Sequence, residues 1–287
     1  MSEFESAADA VITGDTGALR QLLRGNPGLV RERSGQPHQA TLLHYIAANG
    51  VEDERQKTPP NAVEIAKILL DAGSEADATA AMYGGRQTTM NMLVSSCHPA
   101  EAGVQVALVE TLLDYGAAVD GYLGGAGPAL RQSEAPLMTA LAFGYRDAAQ
   151  ALVRRGARVD TLAAAAGLGW FGEATRLLPA ASAGDRHRAL ALAAQHGHTG
   201  IVRLLLDAGE DPNRYNPKGC HGHSTPLHQA VCYNHQAVVR LLVERGSRLD
   251  VEDTVYAGTP LGWAKYFGRA EIAEYLRTQS GRTQTGT

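Results

Sequence analysis

Four short stretches of this chain carry residue types able to do chemistry. Cys220-His221-Gly222-His223, with His228 and Cys232 downstream, offers the thiolate and imidazole ligands that hold zinc. Cys220, His221 and His223 alone crowd too closely along the chain for an ordinary tetrahedral site. Cys97-His98 sets a nucleophile beside a base, but adjacency in sequence does not bring two side chains together, and a thiolate needs such a partner. Glu52, Asp53 and Glu54 could move protons; a solvated loop is their expected setting. Gly167-Leu168-Gly169-Trp170-Phe171-Gly172 spells G-x-G-x-x-G, yet an Ala-rich helical pattern precedes it where a dinucleotide site needs a strand. Gly121 to Gly127 is also glycine-rich and lacks the G-K-[ST] ending of a phosphate loop. None of these sets is assigned as catalytic or metal-binding, and no cofactor is expected.

The elements that would position such residues are repeated. STPLHQAVCYNHQAVVRLLVERGSRLDV from Ser224 recurs as TPLGWAKYFGRAEIAEYLR from Thr259, TLLHYIAANG from Thr41 and APLMTALAFGYRDAAQALVRRGARVD from Ala135. TTMNMLVSS from Thr88, TLAAAAGLGWFGEATRLL from Thr161 and RALALAAQHGHTGIVRLLLDAGEDPN from Arg188 share the phase, and ESAADAVITGDTGALRQLL near Glu5 is a looser copy. Each copy reads as a short helix, a turn at Gly or Asn, and a second helix closed by a glycine such as Gly156, Gly209 or Gly246. Thr at a helix entry caps free amides, and Pro in the next position has no amide to lose. One such unit cannot bury its apolar face alone, so neighbours must stack and the end units must differ.

This pattern resembles the ankyrin repeat. Thr225-Pro226-Leu227-His228 with Val238, Val239, Leu241, Leu242 and Gly246 carries the likeness most fully, as does Gly197-His198 with Ile201 to Leu206 and Gly209. The resemblance implies an all-α fold, an ankyrin-repeat solenoid of stacked helix-turn-helix units with finger-like loops. Units begin near 5, 41, 88, 135, 161, 188, 225 and 259, in a single array over 1–278 followed by a disordered tail, 279–287. It also implies that His228 and His44 hydrogen-bond a neighbouring loop and that Cys232 is a small core residue.

Spacing departs from the ~33-residue ankyrin period in an ordered way. Insertions 51–61 and 96–103 lengthen two units, and the units from Ala135 and Thr161 have almost no finger. Two short fingers between long ones (74–87 and 117–134 on one side, 210–224 on the other) predict a recess with Ala163 to Gly167 and Ala189 to Ala193 as its floor. Tyr83, Arg86, Tyr122, Arg131, Tyr215 and His221 are the candidate rim, because loop aromatics and arginines are the usual anchors of interaction.

Two functions follow as expectations. The first is a scaffold or adaptor binding a protein or peptide through its concave groove and fingers; ankyrin repeats are overwhelmingly interaction modules. The alternative is an enzyme whose recess takes a small molecule and whose loop Tyr, His or carboxylate groups act as acid and base. With 26 Lys and Arg against 30 Asp and Glu, a net charge of -4 gives no field toward nucleic acid or an anionic membrane. No apolar run approaches the ~20 residues of a membrane span, the start is acidic, and three cysteines suit a reducing compartment. A cytoplasmic monomer is the expectation.

Overall fold

The computed structural model describes residues 2–121 and 135–285, with side chains to residue 281. Tyr122, Arg131 and the finger 122–134 lie outside the described residues. The chain forms two compact units, Met1–Arg158 and Val159–Thr287.

The first unit runs α1 (Glu3–Thr13), α2 (Thr16–Gly25), α3 (Leu42–Tyr45), α4 (Ala62–Asp71), β1 (Thr79–Met82), β2 (Gly85–Thr88), α5 (Thr89–Leu93), α6 (Cys97–Glu101), α7 (Gln105–Asp114), α8 (Pro136–Ala142) and α9 (Arg146–Arg154). The second runs α10 (Leu162–Leu168), α11 (Phe171–Leu177), α12 (Ala183–Gln195), α13 (Thr199–Asp207), α14 (Pro226–Cys232), α15 (Gln236–Glu244), α16 (Pro260–Tyr266) and α17 (Ala270–Thr285). Among the described residues the architecture is helical, as the repeat pattern requires, with one two-stranded hairpin added.

The first helices α8, α10 and α12 are rich in small residues because they are enclosed on several sides. Ala163 to Ala166 on α10 and Ala189 to Ala193 on α12 are at most 2% exposed. Alanine lets these two helices approach closely, so the stretches expected to floor an open recess are instead core. The second helix is amphipathic: α15 buries Val238, Val239, Leu241 and Leu242 while Arg240 and Glu244 face out. Thr161 Oγ1 accepts the Ala164 amide at 3.1 Å and Thr259 Oγ1 that of Gly262 at 3.1 Å, so the cap residues act as their spacing predicts.

Three boundaries differ from the sequence reading. The inserted segment 96–103 folds as helix α6, whose Pro99 is buried. Helix α12 opens at Ala183 rather than Arg188, capped by Ser182, whose hydroxyl accepts the Asp185 amide at 3.1 Å. Helix α17 continues past Leu276 to Thr285, through much of the segment read as a tail. In the first unit the finger after α4 is an antiparallel hairpin, Thr79 opposite Thr88, whose two turn residues Tyr83 and Gly84 both have positive φ. That is the two-residue turn whose twist suits paired strands.

A side-chain ladder joins successive helix pairs. His198 Nε2 donates to Gly167 O at 3.1 Å, His235 Nε2 to Gln195 O at 2.9 Å, and Arg269 Nη2 to Cys232 O at 2.7 Å. Each satisfies a carbonyl that the preceding first helix leaves unpaired at its C-terminus. In the first unit the amide side chains of Asn61 and Gln105 donate to Gly14 O at 2.9 Å and Leu93 O at 3.0 Å, carbonyls that also accept the backbone amides of Thr16 and Ser96. Gly197 is required there: its φ is +80°, and a Cβ would fall 2.6 Å from His235 Nδ1. Gly197→Ala is expected to cost about 2 kcal/mol, combining left-handed strain with the displaced histidine bond. An unchanged chemical-unfolding midpoint would remove the ladder as a stabilising device.

Candidate interaction surface

The two T-x-L-H boxes fix the fingers. Thr225 N donates to His228 Nδ1 at 3.3 Å, so that nitrogen is the acceptor, and the proton sits on Nε2, which donates to Gly258 O at 3.0 Å. His44 repeats the arrangement with Thr41 N at 3.2 Å and Gln87 O at 3.4 Å. Burial pushes His44 down to about 4 and lowers His228 as well, so both stay neutral near pH 7. His228 is thereby committed to the Gly258 finger. Cys220 is 1% exposed and burial raises its thiol; Cys232 is half-buried rather than core.

The finger held by His228 is organised around one carboxylate. Asp253 is 2% exposed and accepts from the amides of Val255 at 3.0 Å, Tyr256 at 2.7 Å and Gly258 at 2.9 Å, and from Trp263 Nε1 at 2.9 Å. Burial alone would raise its carboxyl; these four donors outweigh burial and hold it at about 2. The loop so fixed displays Val255, 61% exposed, and Tyr256, 79% exposed.

Aromatic rings continue from that tip onto α16. His223 lies 6.5 Å from Tyr256 and 6.0 Å from Trp263 between centroids, Trp263 lies 5.8 Å from Phe267, and Phe267 5.0 Å from Tyr266. Tyr266 is 85% exposed. Tyr215 Oη donates to Glu252 O at 2.6 Å and Thr254 N to His223 O at 2.8 Å, which ties the finger 210–224 to its neighbour. The result is a rigid, part-apolar surface with hydrogen-bonding tips, the composition that interaction hot spots favour.

Of the six rim candidates, Tyr215 and His221 share this second-unit finger. Tyr83 and Arg86 share the first-unit hairpin, where Tyr83 Oη donates to Asn49 and Arg86 Nε to Thr79 Oγ1 at 2.8 Å. Tyr122 and Arg131 are outside the described residues. The sequence reading weighed His223 only as a metal ligand and passed over Tyr256, Trp263, Tyr266 and Phe267. Its available signal was Trp263 and Tyr266, where the copies from Thr225 and Ala135 carry Gln229 and Thr139, and Cys232 and Ala142; at Phe267 those copies also carry rings, Tyr233 and Phe143.

The other chemical candidates resolve into structure. Gly169 closes α10 with φ +78° and Trp170 is the cap residue before α11, which places the G-x-G-x-x-G stretch at an inter-helix turn. Cys97 is exposed in the first turn of α6. Glu52 is not in a solvated loop: it sits 3.3 Å from His38 Nε2 and accepts from Tyr45 Oη at 3.4 Å. The insertion folds back because Arg55 pairs with Glu5 and, at 2.9 Å, with Asp9 on α1. Among the described residues no group of three or more His, Cys, Asp or Glu is arranged to hold a metal ion.

Comparison with known proteins gives the same repeat. Residues 161–254 and 190–285 match the ankyrin repeats family. Residues 161–285 of the chain are ankyrin repeats. The chain is 39% identical over 83 residues to ankyrin repeat and SAM domain-containing protein 6 of Mus musculus, covering 29% of this chain and 9% of that protein. It is 31% identical over 88 residues to cyclin-dependent kinase inhibitor 2A of Homo sapiens, covering 31% and 54%. It is 29% identical over 102 residues to the NF-kappa-B inhibitor cactus of Drosophila melanogaster, covering 35% and 20%. The match thus spans from a tenth to about half of these relatives' length. Among the described residues no helix is long and apolar enough to cross a membrane.

Proposed function

We propose that this protein is a protein-binding scaffold, a cytoplasmic monomer that holds a segment of a partner protein across its finger tips and first helices. The observation that carries the reading is the Asp253 finger: four hydrogen bonds fix a loop whose outward residues, Val255 and Tyr256, are apolar or aromatic. A tip held this firmly loses little conformational freedom on binding, so contact energy is retained as affinity. Relatives whose names state inhibition of a kinase and of NF-kappa-B support a role exercised by holding another protein. Tyr215 and His221 belong to the same surface, and Tyr83 with Arg86 offers a separate contact on the first-unit hairpin.

The test is capture from soluble extract with wild type and with Tyr256→Ala/Tyr266→Ala, both checked for unchanged thermal unfolding, followed by mass spectrometry of proteins and small molecules. A protein retained in stoichiometric amount by wild type and lost by the variant is the expected result. Equal capture by both removes this surface; a retained metabolite with no protein favours the enzymatic alternative.

A further inference from the structure

Beside the aromatic surface, the finger 210–224 packs on the N-terminal half of α12, and the polar groups there are unevenly paired. Asp185 is occupied by the amides of Leu162, at 3.0 Å, and Ala163, at 3.2 Å. Glu210 pairs with Arg186 at 3.0 Å, and Asp211 accepts the Asn213 amide at 2.8 Å. Arg188 reaches only the Cys220 sulfur, at 3.6 Å, and neither Arg188 nor Arg214 has an ion pair among the described residues. In a chain of net charge -4, two guanidiniums without an ion pair, Arg188 on α12 and Arg214 on the finger packed against it, are a local feature.

Two enclosed side chains at the same place lack partners. Asn216 is 4% exposed, with both Nδ2 and Oδ1 unpaired. His187 is 6% exposed; its ring meets the Tyr215 backbone, and Nε2 has no partner. Buried amides and imidazoles are almost always hydrogen-bonded, and an enclosed one left unused opposes folding until something reaches it. Arg188 and Arg214 bring the charge, Asn216 and His187 the unused polar atoms, and the Tyr215 and His223 contacts join them to the aromatic tips.

We infer that this corner of the second unit receives a carboxylate side chain of an acidic peptide segment, with Arg188 and Arg214 as its cationic contacts and Asn216 and His187 completing its hydrogen bonds. The inference rests on the protein-binding reading and names the partner's chemistry: Asp or Glu next to an apolar or aromatic residue. Planar guanidiniums match a carboxylate's two oxygens. Glu210 and Asp211 at the border oppose a doubly charged phosphate more than a single carboxylate. Burial, and then the Arg214 charge, lower His187, which keeps the ring neutral and able to share a hydrogen bond.

The test is selection of a random peptide display library on the full chain, followed by fluorescence-anisotropy titration of the strongest selected peptide. Enrichment of Asp and Glu is expected, with binding roughly tenfold weaker to Arg188→Gln/Arg214→Gln and to wild type when the peptide's acidic residues are changed to amides. The amide peptide guards against a variant that merely folds poorly. Selected peptides without acidic enrichment, or with unchanged affinity for the Gln double variant, overturn the inference; if Tyr256→Ala/Tyr266→Ala still abolishes their binding, the scaffold reading stands. Failure to select any peptide above a bare-matrix control overturns both.

Discussion

Replacing Leu227 by alanine is expected to lower the stability of the second unit by roughly 2 to 5 kcal/mol, the cost of truncating a fully buried leucine. Leu227 is 1% exposed on α14, which lies against α12 and α16. Both neighbours pack on α14, so the loss of the side chain is shared by them. Urea unfolding followed by circular dichroism measures it as a lower midpoint. Leu261 holds the equivalent place in T-P-L of the pair α16–α17 but is only part-buried. Its alanine variant should cost less, about 1 kcal/mol. Equal losses at the two positions would contradict the burial difference, and no loss at Leu227 would contradict the packing of α14 altogether.

Asp253→Asn is expected to remove about 2.5 kcal/mol near neutral pH and to disorder the finger tip. The carboxyl is held at about 2, against an ordinary ~3.9 in an unfolded chain, and each pH unit of such a difference corresponds to ~1.4 kcal/mol. A folded-state value below the unfolded one contributes stability that is fully present above about pH 4. That contribution is lost as pH falls through about 2. The gap in melting temperature between wild type and Asp253→Asn should therefore be widest above pH 5 and close in strong acid. A gap independent of pH would mean that the carboxylate's charge does not organise the loop. Loss of the Asp253 acceptor also frees the Trp263 indole, so fluorescence of that residue should change along with stability.

His44 adds a second acid-sensitive point in the first unit. Its folded value of about 4 lies below the ordinary ~6.5, so its neutral, finger-holding form favours folding above that range and loses the advantage as pH drops toward 4. The two groups act in different windows because opposite physics sets them. Burial dominates at the histidine; donated hydrogen bonds dominate at the carboxylate.

The sequence by itself determined the helix pairs, their caps and the role of the T-x-L-H histidines, since all of these depend on interactions within one repeat or between adjacent ones. Thr225, Pro226 and His228 are legible because their partners, the local amides and the next finger, stand at fixed offsets along the chain. The contents of the insertions were not legible. Segment 96–103 becomes a helix, and Glu52 with Arg55 turns inward to His38, Tyr45, Glu5 and Asp9. Nor did composition reveal that the alanines of α10 and α12 face each other in a closed core rather than lining a recess. The surface itself was decided by tertiary structure: Asp253 reads as one more acidic loop residue until folding brings Trp263 and three amides around it, and Tyr256, Trp263 and Tyr266 become one surface only then. Such contacts join different repeats and loops of irregular length, and a periodic sequence pattern carries no information about where its irregular parts meet.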